Sequence, residues 1–164
     1  MFIFDYSVKT IGSYIIRKRI LCCLAVQGKT QPTNGTSDLR TLQQQFVDLK
    51  FGMFIHFNIP TFMSDDWADP DASPAIFNPV KLDCNQWAEA AKAAKMRYGC
   101  LTTKHHSGFC IWDTKTTGYN VMNSPLKRDV VKEYVAAFRK QGLKTMLYYS
   151  ILDTHHKLRP GFIM

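Results

Sequence analysis

Five stretches of this chain carry side chains that can grip a small polar ligand. His56 lies at the end of the apolar run Met53-Phe54-Ile55-His56-Phe57, Lys104-His105-His106 follows an apolar run over 98–103, Tyr148-Tyr149 closes another over 143–149, and Trp67 and Trp112 stand in the long segments between. A neutral imidazole offers one donor and one acceptor, which suits a hydroxyl that must do both. An indole offers a flat apolar face for the C–H side of a sugar ring, whose hydroxyls then need directional partners. Histidines, tyrosine and tryptophan without a basic cluster describe a pocket for a neutral polar ring better than one for a phosphate. Neither G-x-G-x-x-G nor G-x-x-x-x-G-K-[ST] occurs to cradle a nucleotide.

Each residue has a plainer reading. A lone histidine such as His56 is often a satisfied core residue, and a loop tryptophan is often a lid on the core. His105 and His106 lack the H-E-x-x-H spacing or further ligands of a metal site, so neutral binding is preferred over ligation. Neighbours on a regular strand point apart, so these two rings share a pocket only if the chain turns, as Gly108 permits. Asp65, Asp66, Asp69 and Asp71 read mostly as solvated loop carboxylates; Asp66 stands out because it adjoins Trp67. For Asp153, His155 and His156 a solvated loop and a pocket rim are both open.

These residues must be positioned by regular elements. Ser37 is placed to cap a helix with Leu39, Leu42, Phe46 and Leu49 near one face. The run 53–57 suits a strand buried on both faces. After a polar, proline-bearing loop over 58–82, Asp83 and Gln86 form a D-x-x-Q capping box. Its helix shows Trp87, Ala90, Ala91 and Ala94 at the spacing of a buried stripe. A strand over 98–103 and a loop over 104–127 follow. Asp129 then caps a helix with Val131, Tyr134, Val135 and Phe138 on one face and Gly142 past its end, before the strand 143–149. Strands alternating with helices predict a parallel α/β fold, either a doubly wound sheet or a (β/α)8 barrel. In both, functional side chains gather at the C-terminal strand edge, where His56, the Lys104–His106 stretch and the two tyrosines fall.

Composition limits the alternatives. The chain has 164 residues, 46% hydrophobic and 21% charged, a globular balance for one domain. The +8 net charge divides into six basic and two acidic side chains over 1–40 and fifteen and eleven over 41–164, with no stripe for tracking nucleic acid. No apolar run reaches membrane-span length. Cys22 and Cys23 lie near the start, and Cys84, Cys100 and Cys110 read as free core thiols without a C-x-x-C pair. Arg17-Lys18-Arg19 followed by an apolar run over 20–26 has the pattern of an export signal, with a linker over 27–38.

Phe51-Gly52-Met53-Phe54-Ile55-His56-Phe57, Asp66-Trp67, the stretch Leu101-Thr102-Thr103-Lys104-His105-His106-Ser107-Gly108-Phe109-Cys110-Ile111-Trp112, and Leu147-Tyr148-Tyr149-Ser150 resemble α-L-fucosidases of glycoside hydrolase family 29. The resemblance covers about residues 39–159. It implies a retaining exo-glycosidase that removes terminal α-linked L-fucose from glycans and needs no cofactor, while the export-signal pattern implies work in the periplasm or outside the cell. It implies an α/β fold, a partial (β/α)8 TIM-like barrel holding about the first three βα units. Residues 1–37 would then be leader and linker, and residues 38–164 the N-terminal part of the catalytic barrel.

Carried over by position, His56, His105, His106 and Tyr149 would contact the fucose hydroxyls, with Trp67 lining the pocket. Asp66 stands where the family usually has glutamate, one methylene longer, and Phe57-Asn58 departs from the more frequent pattern after the first strand. The nucleophile and acid/base are expected beyond Met164, so the expectation for this chain alone is an inactive protein. The rivals are a non-catalytic fucose-binding module and a metal-dependent hydrolase using His56, His105 and His106. Nothing in the sequence sets linkage specificity or oligomeric state.

Overall fold

The computed structural model describes residues 38–63 and 67–156. They fall into two compact units, 38–48 and the remainder. The expected leader, with its basic cluster and apolar run, lies outside the described residues.

The first unit holds helix α1, Leu39–Val47. Its cap position is Asp38 rather than Ser37, because Asp38 is already extended (φ −51, ψ 143) and Leu39 is the first helical residue. Leu39, Leu42 and Phe46 are exposed, and Leu49 lies beyond the helix end.

The second unit contains β1 (Gly52–Ile55), α2 (Cys84–Ala93), β2 (Tyr98–Lys104), α3 (Val130–Lys140) and β3 (Lys144–Tyr149). The loops hold three short 3-10 turns at Ile59–Phe62, Pro74–Ile76 and Val121–Asn123. The strands form one parallel sheet in the order β1-β2-β3, so the unit is α/β.

Local signals set the helix ends. The Asp83 carboxylate accepts from the N–H groups of Asn85 (2.9 Å) and Gln86 (3.3 Å), and Asp129 accepts from Lys132 N–H (2.8 Å). Such caps are each worth about 1 kcal/mol. At the end of α3, Gly142 takes φ +72 while Leu143 N–H bonds Phe138 O and Gly142 N–H bonds Arg139 O, a Schellman closure. The end of α2 closes the same way, with Lys95 at φ +58 in the left-handed position.

The buried stripe of α2 differs from the expected one. Cys84, Ala88 and Ala91 are buried, Trp87 is half-buried, and Ala90 and Ala94 face solvent. Alanine stands at so many positions of this helix that its spacing cannot choose a face. On α3 the buried residues are Val130, Tyr134, Ala137 and Phe138, with Val131 and Val135 at the margin.

The helices α2 and α3 pack together, and one face of the sheet meets them through Met53, Ile55, Leu101 and Leu147. Gly99 makes this approach possible, since a Cβ there would lie 2.3 Å from the Phe138 ring. The register pairs Phe54 with Cys100 and Cys100 with Met146, which places all three on the opposite face. Phe54 meets Tyr148 edge-on at 5.9 Å between ring centroids, passing over β2 where the side chains are small. Phe54 is 57% exposed, so β1 is not buried on both faces among the described residues. No helix among the described residues is long and apolar enough to cross a membrane.

Candidate functional site

The C-terminal ends of the three strands bring together most of the residues singled out by type. His56 follows β1 directly, and its ring meets His105 edge-on, with centroids 4.9 Å apart. His105 and His106 have centroids 3.7 Å apart. They share a site because β2 stops at Lys104 and the chain turns, with Gly108 N–H bonding His105 O at 3.0 Å and Gly108 at φ +88. Trp67 stacks on His106, centroids 4.6 Å and planes 26° apart, while remaining 63% exposed. Three imidazoles and an indole thus form one connected aromatic surface. Asp66 lies outside the described residues.

Burial sets the charge of this surface. His105 is 4% exposed, and desolvation, helped by His106 and His56, pushes its pKa down to about 4. His106 is lowered by burial first, then by His56 and Lys104. Both rings are therefore neutral at neutral pH. The Ser150 hydroxyl donates to Leu152 O (3.0 Å), so in its 3.4 Å contact with His106 Nδ1 the nitrogen is the donor. That tautomer leaves His106 Nε2 as an acceptor. His105 Nδ1 is buried and makes no protein hydrogen bond.

Tyr149 lies at the end of β3, 56% exposed, with its ring 6.3 Å from that of Trp112. A register slip brings it into place. Thr102 pairs with Tyr148, yet Lys104 pairs with Tyr149, so β2 spends one extra residue at Thr103. Without that bulge Lys104 would fall on the other face from Tyr149. With it, the ammonium sits 4.8 Å from the Tyr149 ring centroid, within cation–π range.

Several contributors were not among the residues predicted for the site. Lys104, 3% exposed, pairs with Asp153 at 2.9 Å, and Asp153 also accepts from His156 N–H and meets His156 Nδ1. Asp153 is 8% exposed, which decides against a solvated loop. Its carboxyl lies below the usual carboxylate range because hydrogen bonds from His156 and Lys104 outweigh the opposing effect of burial. His156 Nε2 meets the Thr117 hydroxyl at 2.8 Å, and His155 Nδ1 meets Pro70 O while its ring stacks on Tyr119. Asn58, fully buried, donates to Phe109 O at 3.2 Å and ties the loop after β1 to the loop after β2. A lysine at the end of a short, mostly buried strand was the available signal, since a buried charge demands a partner.

Cys84, Cys100 and Cys110 are free thiols; burial pushes Cys84 and Cys110 up to about 12 and raises Cys100 as well. Among the described residues no group of three His, Cys, Asp or Glu side chains is placed to hold a metal ion. A cavity of about 350 Å³ lies away from the strand ends, between the start of α2 and one side of α3, lined by Asp83, Cys84, Arg128 and Glu133 among others.

The sequence pattern of the alpha-L-fucosidase family matches residues 70–160, more than half of the chain. The chain belongs to the α-L-fucosidase family. This fucosidase-family chain is 39% identical over 108 residues to alpha-L-fucosidase 1 of Arabidopsis thaliana, covering 64% of this chain and 21% of that protein. A solved glycoside hydrolase 29 family member from an unknown rumen bacterium superposes with a TM-score of 0.65 at 42% identity, over 68% of this chain and 21% of that one. A Bacteroides thetaiotaomicron fucosidase, solved as a trapped covalent intermediate with 2-fluoro-fucosyl fluoride, superposes with a TM-score of 0.63 at 31% identity, over 75% of this chain and 33% of that one. The fucosidase-family chain spans between about a fifth and a third of the length of the curated relatives it matches.

Proposed function

We propose that these residues form the hydroxyl-gripping rim of a retaining α-L-fucosidase acting on terminal α-linked L-fucose of glycans. The observation that carries the reading is the cluster of His56, His105 and His106 with Trp67 stacked on it, at the C-terminal edge of a parallel sheet. Neutral imidazoles, with the His106 Nε2 acceptor left open, suit hydroxyls, and the indole suits the sugar's apolar face. Tyr149 adds a phenol at the neighbouring strand end. Asp66, next to Trp67, is assigned to the same rim by family position.

The fold in this reading is the opening of a (β/α)8 barrel, with residues 38–164 contributing its first three βα units. The apolar second face of the sheet supports it, because a barrel turns such a face into its packed interior. Retention needs two carboxylates about 5–5.5 Å apart, one attacking the anomeric carbon and one protonating the leaving oxygen. Asp153 is held by Lys104 and His156 and does not serve as nucleophile. The two reacting carboxylates are assigned to parts of the barrel other than the described strands. The rim groups would then act by tightening on the hydroxyls as the ring approaches an oxocarbenium ion. The name of the plasma fucosidase relatives accords with an exported protein.

Titration of L-fucose and D-fucose into labelled chain, followed by NMR, tests this. L-fucose at millimolar concentration is expected to shift the ring signals of His56, His105 and His106, and D-fucose is not. Equal responses to both sugars, or shifts confined to other residues, would overturn it.

A further inference from the structure

We propose that Lys104 and Asp153 act as a pair of positioning residues that set the His105–His106 turn and the Tyr149 ring; their role in sugar binding rests on the function proposed above. The loop after β3 grips the turn at several points. Thr154 donates to His106 O through both its N–H (2.8 Å) and its hydroxyl (3.0 Å), Ser150 N–H bonds Lys104 O (3.0 Å), and Ser150 Oγ meets the His106 ring. Asp153 lies within this loop, close enough to Gly108 that a Cβ there would come 2.6 Å from its Oδ1.

One charge pair therefore joins three parts of the site. The Lys104 ammonium reaches Asp153 on one side and the Tyr149 ring on the other, while Asp153 sits against the turn and is secured by His156, which Thr117 holds in turn. Buried ion pairs add little net stability compared with apolar residues of similar volume, whereas a few have well-attested roles in fixing one arrangement. The ammonium and the carboxylate are taken up by each other and by Tyr149 and His156, so neither is free to contact a ligand directly. Their effect on the rim has to pass through the groups they hold.

The test compares labelled wild-type chain with Lys104→Met/Asp153→Leu and with Asp153→Asn. Trp67 stacked on His106 gives the histidine ring protons an upfield ring-current displacement, read by NMR without any sugar. The double variant is expected to keep its melting temperature within a few degrees, in line with apolar replacement of buried pairs, while that displacement collapses and the L-fucose response weakens about tenfold or more. Asp153→Asn, which keeps side-chain size, is expected to lose part of the displacement and decides the matter if the double variant does not fold. Wild-type ring shifts retained in the folded variants would overturn the inference and leave the pair as a structural tie. A wild-type chain that shows the ring shifts but ignores L-fucose would sink the sugar reading alone, leaving positioning of the rings to be judged by the variants.

Discussion

His105 and His106 are adjacent in sequence yet hold their ring centroids 3.7 Å apart, an arrangement available only because the strand ends between Lys104 and the turn at Gly108. Holding two imidazoles this close, tilted by 49° with His105 buried, is tolerable only while both are uncharged, and that gives the protein a pH dependence.

His105 has a pKa near 4 when folded and near 6.5 otherwise. Above about pH 6.5 the ring is neutral in both states and contributes nothing to the slope. As the pH falls from 6.5 toward 4, the unfolded chain takes up a proton that the folded chain refuses, so stability falls. The loss is up to roughly 3 kcal/mol. Urea unfolding at pH 4, 5, 6 and 7 should show it, and His105→Asn should flatten that part of the curve. An unchanged slope in the variant would assign the acid sensitivity elsewhere.

Gly108→Ala should destabilise the chain by about 2 kcal/mol or more. Its φ of +88 disfavours any L side chain, and the new Cβ would press on Asp153 Oδ1. Denaturant midpoints check the stability, and the His106 ring signals should move in the same variant.

Gly99→Ala should cost about 1–3 kcal/mol by overpacking. The added methyl would meet Phe138 at 2.3 Å and the Tyr134 hydroxyl at 2.9 Å, and Tyr134 also donates to Met146 O. Shortening Phe138 to leucine in the same chain should recover part of the loss, and thermal melts of the single and double variants measure both.

Lys95→Gly should stabilise the protein by about 0.5–1 kcal/mol. Lys95 occupies the left-handed position that closes α2, at φ +58, where glycine bears no Cβ penalty. An unchanged or lower urea midpoint would mean that its side chain compensates for the backbone.

The strands, the carboxylate caps and the strand-end histidines were legible because each depends on a few neighbouring residues. Asp83 and Asp129 cap the helices they precede, and the strands fall within a residue or two of the expected runs. The buried side of α2 is not legible because its signal rests on alanines, which satisfy any face. The Lys104–Asp153 pair was not legible because its partners are 49 residues apart and Asp153 sits in a segment indistinguishable by composition from a solvated loop. The bulge at Thr103 left no mark in the sequence either, since a one-residue slip is decided by the neighbouring strand.

His155 reaches across to the carbonyl of Pro70, three residues from Trp67. The indole platform is therefore anchored from the loop after the third strand as well as from its own loop. Amide exchange around residues 68–72 and 153–156 should consequently proceed as one cooperative opening event, so a lesion in either segment would be felt in both.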